Sequence, residues 1–118
     1  MHEQRTPKQI AELFSTHQFE KVYPYLAHDM RWNNVGGEQF YDKASVVAAC
    51  QQSAEYLAKT NTMFDSFKLF HGHNYAVVDA VARYESPDGT TSTVSSCDIY
   101  EFVDEKVQTI TSYTVELE

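Results

Sequence analysis

The stretch Thr93-Val94-Ser95-Ser96-Cys97-Asp98-Ile99-Tyr100-Glu101-Phe102 decides the fold, because it alternates along its whole length. Successive side chains of an extended strand project to opposite faces. Ser96, Asp98, Tyr100 and Phe102 therefore share one face, and Cys97, Ile99, Glu101 and Val103 share the other. After the polar turn Asp104-Glu105-Lys106 the chain resumes over residues 107–115, dense in the Thr, Ile, Val and Tyr that strands favour. Residues 90–115 thus read as two long antiparallel strands. One side chain does not fit: an Asp beside Tyr100 and Phe102 is costly to bury as an anion. It must find a donor, bind a cation, stay protonated or mark a pocket.

Upstream, Ser86-Pro87-Asp88-Gly89 has the chemistry of a hairpin turn. Before it, period-two patterns predict strands over 63–70 and 74–84, separated by the turn His71-Gly72-His73. Asp42 is placed to cap a helix over 43–59, with Val46, Val47, Cys50, Ala54 and Leu57 as its apolar stripe. Met30 to Asn34 reads as a short strand with Met30, Trp32 and Asn34 on one face, leading into the loop Val35-Gly36-Gly37. Phe19, Val22, Tyr23 and Leu26 predict a short helix, with Pro24 tolerable near its start. At the beginning, Thr6 as N-cap, Pro7 at the first helical position and Gln9 closing a capping box predict a helix of about ten residues carrying Ile10, Leu13 and Phe14, broken at His17-Gln18. Helices first and long strands after is an α+β order. With no repeat and no linker, the chain is expected to form one domain over residues 1–118.

A chain of 118 residues with 42% hydrophobic content can bury a substantial core, and its 14% aromatic content suits a lined cavity or a plain core equally. Nine Lys and Arg against 17 Asp and Glu leave a net charge of −8, so no basic footprint for nucleic acid is present. No apolar run approaches the length of a membrane span, and the first residues carry no apolar export segment, which predicts a cytoplasmic protein with Cys50 and Cys97 reduced. Both cysteines read as small core residues. His71 and His73 supply at most two metal ligands where a zinc site needs three protein groups, so no metal is expected. His17 and His28 read as capping or surface groups. Val35-Gly36-Gly37-Glu38 has the spacing of neither a phosphate loop nor a nucleophile elbow.

The order of elements resembles the nuclear transport factor 2-like superfamily, particularly its SnoaL-like and ketosteroid isomerase-like branches. The likeness is carried by Leu26-Ala27-His28-Asp29-Met30-Arg31-Trp32 with Gly36-Gly37, by the helix entry Tyr41-Asp42-Lys43, and by Asp98-Ile99-Tyr100-Glu101-Phe102 running into Lys106-Val107 and Tyr113. It implies a cone, in which a strongly curved mixed sheet wraps a long helix with a pocket between them, and a homodimer paired through the outer sheet face. In ketosteroid isomerase-like members the Asp matching Asp98 points into the pocket as a protonated hydrogen-bond donor, the state an apolar site enforces. The general base of that branch falls at Asn34 and its Tyr donor near Ile10. An amide takes up no proton at neutral pH and Ile donates nothing, so that isomerase chemistry is not expected.

The expected pocket binds a small, largely apolar molecule and is lined by Trp32, Asn34, Tyr100, Phe102 and Ile110, with Asp98 and Arg83 as polar groups. If the protein is an enzyme, it would be a cofactor-free isomerase, lyase or hydrolase with Asp98 as the acid or base. Asn34 either orients a ligand or satisfies the glycine loop. Alternation over 75–84 places Asp79 and Arg83 on one face with Tyr75, Val77 and Val81. The resemblance turns that face inward, where Asp79, Arg83 and Asp98 would echo the Asp-Arg-Asp arrangement of limonene epoxide hydrolase-like members. The competing placement is an ion pair on the outer face at a dimer contact. The rival for the whole chain is a non-catalytic association module whose pocket its own aromatics fill.

Overall fold

Helix α1 spans Pro7–Ser15 and opens on the expected capping box in the computed structural model, which describes residues 5–117. The Gln9 N–H donates to the Thr6 hydroxyl at 3.2 Å, and the Thr6 N–H donates to Gln9 Oε1 at 2.8 Å. The helix closes on a Schellman-type cap: His17 N–H to the Phe14 carbonyl at 3.0 Å and Gln18 N–H to the Leu13 carbonyl at 2.8 Å. His17 occupies the left-handed position that glycine usually fills, with φ of 69°.

The single helix expected next is two separate 3₁₀ turns, Phe19–Lys21 and Tyr23–Tyr25. An α-helix running through from Phe19 would need an N–H at position 24, and Pro24 has none. The chain straightens at once into β1, Leu26–Asn34, longer than its sequence pattern indicated. A two-residue strand β2, Gln39–Phe40, was too short to leave a periodic signal. Helix α2, Lys43–Ala58, starts on Asp42, whose carboxylate accepts the Ser45 N–H at 2.8 Å. Strands β3 (Asn61–His71), β4 (Tyr75–Glu85), β5 (Thr91–Val103) and β6 (Lys106–Leu117) complete the chain.

The six strands lie in the order β2-β1-β6-β5-β4-β3, antiparallel throughout except for the parallel pair β1 and β6. Asp104 and Glu105, with φ of 51° and 67°, make the tight left-handed turn between β5 and β6. Register slips between Leu26 and Arg31, Phe64 and Ser66, and Glu101 and Phe102. Such irregularities bend strands and increase their twist, and this sheet is curved and unclosed. Small side chains on β4, Ala76, Val78 and Ala80, are fully buried and let α1 settle onto the concave face through Ile10, Ala11 and Phe14. Helix α2 packs less completely. Only Val46 and Cys50 of its expected stripe are buried, Val47 and Leu57 are half-buried, and Ala54 is exposed. Its second half therefore stands off the sheet and leaves space beneath it. Among the described residues, no helix is long and apolar enough to cross a membrane.

Candidate functional site

That space is a cavity of about 560 Å3 between the concave face of the sheet, the end of α1 and the second half of α2. Strand register sets its floor. Val78 stands opposite Asp98, Asp98 opposite Ser112, and Ser112 opposite Asn34, so one row crosses four strands. The neighbouring row, Ala80, Ser96 and Thr114, extends the floor with small and hydroxyl side chains. Phe14, Trp32 and Phe64 wall the cavity, and Gln52, Tyr56 and Leu57 of α2 cover it.

Asp98 is the acid on this floor. Burial pushes its carboxyl above the usual carboxylate range, and a hydrogen bond from Ser112 draws it partly back. Ser112 is 4% exposed and its Oγ accepts from Trp32 Nε1 at 3.0 Å. An indole nitrogen can only donate, so it occupies a lone pair of Ser112 and leaves the hydroxyl proton to point at Asp98. Trp32 thus orients the Ser112 hydroxyl on the cavity floor beside Asp98. Burial and the charge of Asp98 together raise the phenols of Tyr84 and Tyr100.

The structure brings Trp32, Asn34 and Asp98 together at the cavity. Asn34 is committed to its loop: its side-chain Nδ2 donates to the Glu38 carbonyl at 3.2 Å, beside its own backbone N–H at 3.1 Å. Tyr100, Phe102 and Ile110, expected in the lining, belong instead to the core beneath it. Tyr100 is 1% exposed, its hydroxyl shares a 2.6 Å hydrogen bond with Ser15 Oγ, and its ring packs edge-on to Phe14. The curved sheet and α1 close over that end of the face, so an inward direction there means burial rather than access.

Asp79 and Arg83 do not face the cavity. Asp98 is paired with Val78, so Asp79 falls opposite Cys97 on the outer face, and Arg83 follows it there. Arg83 Nε pairs with Asp65 of β3 at 2.9 Å, with both side chains well exposed. The small row Ala76, Val78, Ala80 and Ala82 is the inward one. Cys97 likewise lies half-exposed on the outer face rather than in the core.

Three contributors carried no recognised sequence signal: Ser112, Tyr84 and His17. The His17 backbone caps α1, and its ring is half-buried rather than free at the surface. It stacks on Phe64 at 6.0 Å, meets Phe19 edge-on at 5.8 Å and lies 6.1 Å from Tyr84, and this burial lowers its pKa. Among the described residues, no group of three or more His, Cys, Asp or Glu could hold a metal ion. Cys50 is a buried thiol pushed up to about 12 by desolvation, which leaves it unreactive.

The sequence profile of the SnoaL-like domain family matches residues 8–110. Among solved structures, the chain is similar to an NTF2-like protein of unknown function from Cytophaga hutchinsonii, with 30% identity, a TM-score of 0.79, and coverage of 90% of this chain and 93% of that one. It is also similar in fold to an LEH-like epoxide hydrolase from M. tuberculosis, with 11% identity, a TM-score of 0.71, and coverage of 92% and 82%. A candidate polyketide cyclase from Xanthomonas campestris pv. campestris matches with 13% identity, a TM-score of 0.70, and coverage of 88% and 83%. No curated protein matches the chain.

Proposed function

The chain belongs to the SnoaL-like domain family, and on that premise we propose that it binds a small, largely apolar molecule in the concave cavity with Asp98 as the polar anchor. The observation that carries this reading is the position of Asp98: an acid on the floor of a cavity of about 560 Å3, standing across the strand pair from Ser112. That volume lies in the range of small-molecule sites. A carboxyl within reach of a ligand can take up and return a proton, the exchange that isomerase, lyase and hydrolase chemistry requires. Trp32 and Ser112 act as positioning residues: the indole N–H fixes the Ser112 hydroxyl, which stands across the strand pair from Asp98.

Ketosteroid isomerase chemistry is not proposed, since Ile10 is buried in the core and the Asn34 amide is tied to its loop. The epoxide hydrolase and the candidate polyketide cyclase share the fold alone. An Asp-Arg-Asp mechanism finds no support in the outward placement of Asp79 and Arg83. The open cavity favours small-molecule binding over an association module filled by its own aromatics.

The test is a calorimetric screen of apolar alcohols and ketones against the whole protein and its Asp98→Asn variant. The expected result is a hit whose affinity falls about tenfold in the variant, the loss of one charge-assisted or strong hydrogen bond. Affinity and turnover that are both unchanged in Asp98→Asn would sink the anchor role.

Pairing of two copies through the outer sheet face belongs to the same reading. It is favoured by the exposed Phe70, Tyr75, Tyr113 and Val115, an apolar group that water leaves uncovered. Light scattering that returns the mass of one chain at micromolar concentration would dismiss it.

A further inference from the structure

The charge of the ligand follows from an inventory of the cavity. Among the described residues that line it, Asp98 is the only Asp or Glu and there is no Lys or Arg. Ser15 at the end of α1 and Tyr56 and Leu57 near the end of α2 also line it, so the cavity adjoins the C-terminal ends of both helices. Neither last turn carries a basic residue, and Lys59, the C-cap of α2, is not among the residues that line the cavity. The one further titratable base, His17, is held toward its neutral form by its apolar neighbours and adds no compensating positive charge. An anion entering this space would shed its hydration and meet no positive partner.

A cation would find the opposite. Six aromatic side chains line the cavity, Phe14, Phe19, Trp32, Tyr56, Phe64 and Tyr84, and aromatic ring faces attract organic cations. The floor offers oxygen acceptors in Ser96, Ser112, Thr114 and Asp98. An ammonium group has donors only, and the carboxylate sites of Asp98 that Ser112 leaves open accept them. The chain as a whole carries a net charge of −8, which draws cations toward it from a distance.

The geometry points to an organic cation as the ligand: an apolar, preferentially aromatic body bearing a protonated amine, with the ammonium group seated against Asp98. This rests on the small-molecule reading above and narrows it. Three probes on one ring system separate the two claims: 1-naphthylmethylammonium, 1-naphthylmethanol and 1-naphthoate, each titrated calorimetrically into the whole protein near neutral pH.

The expected ranking is amine over alcohol by about tenfold, with the carboxylate weakest. In Asp98→Asn the advantage of the amine over the alcohol is expected to shrink to about threefold or less. Repeating the native ranking in roughly 0.5 M salt removes long-range attraction to the acidic surface, and the preference for the amine must survive. An alcohol that binds as tightly as the amine, a carboxylate that binds tightest, or a preference abolished by salt overturns the cation assignment and leaves the cavity reading standing. Binding of none of the three overturns both. The native ranking decides the matter even if Asp98→Asn fails to fold.

Discussion

Asp98 and Asp79 sit on adjacent strands, one register position apart, and they occupy different solvents. Asp98 is paired across β5 with Val78 and Ser112 and looks into the cavity. Asp79 is paired with Lys68 and Cys97 and is exposed on the outer face. Residue type is the same, and so is strand geometry. The difference comes from parity: one step along a strand exchanges a low-dielectric floor for water. Desolvation raises the Asp98 carboxyl, whereas Asp79 simply stands exposed on the outer face.

The sharpest way to test the inner half of that comparison is Ser112→Ala. It removes the acceptor of Trp32 Nε1 and the donor to Asp98 in one step. Leaving a half-buried indole N–H unpaired is expected to reduce stability by about 1–3 kcal/mol in urea unfolding. Ser112 holds the Asp98 carboxyl down, so its loss should move that carboxyl further up in a carbon-13 titration. An unchanged titration would mean that no hydroxyl proton reaches Asp98.

A smaller effect separates the two acids directly. The folded-state pKa of Asp98 is raised, so the native chain keeps a proton that the unfolded chain has already lost. Its contribution is therefore most favourable below the ordinary carboxylate value near 3.9 and declines as pH rises through the elevated native value. Asp98→Asn has no such decline. The variant is expected to gain stability relative to the native protein from about pH 4 upward, levelling off above the elevated value. Asp79→Asn, an exposed outer-face change, is the control and should alter stability by no more than about 0.5 kcal/mol. Equal pH curves for the two variants would remove the distinction between the faces.

Local chemistry made much of this fold legible. Thr6, Pro7 and Gln9 mark one helix start and Asp42 the other, because caps act within three residues. Turn residues at Gly89 and at Asp104-Glu105 mark both hairpins of the β4, β5 and β6 meander for the same reason. Which face of β4 turns inward was not legible. Alternation yields two faces without a direction, and the direction comes from pairing Val78 with Asp98, a contact twenty residues apart in sequence. Neither was the place of His17, since Phe64 and Tyr84 reach its ring from β3 and β4. Tyr100 shows a further limit. Its inward direction was readable from alternation, but α1 covers it through Phe14 and Ser15, and strand periodicity carries no information about what lies above a face.

The smallest predicted effect tests the outer half of the comparison. Arg83 and Asp65 meet at 2.9 Å with side-chain exposures of 50% and 40%, so water and salt screen the pair on both sides. Exposed pairs of this kind contribute about 0–1 kcal/mol, and Arg83→Ala should fall in that range, with the loss shrinking further in roughly 1 M salt. The same variant should leave cavity binding unaltered, because Arg83 is paired with Met63 and Thr93 on the face that Asp98 does not share. A cavity in which Arg83 took part would behave differently. Removing its one cation would weaken a neutral or anionic ligand about tenfold or more and would strengthen an organic cation. Calorimetry of Arg83→Ala with the naphthyl probes therefore tests the placement itself. Unchanged affinities keep Arg83 and Asp79 outside, and a shift in opposite directions for the amine and the carboxylate would bring them in.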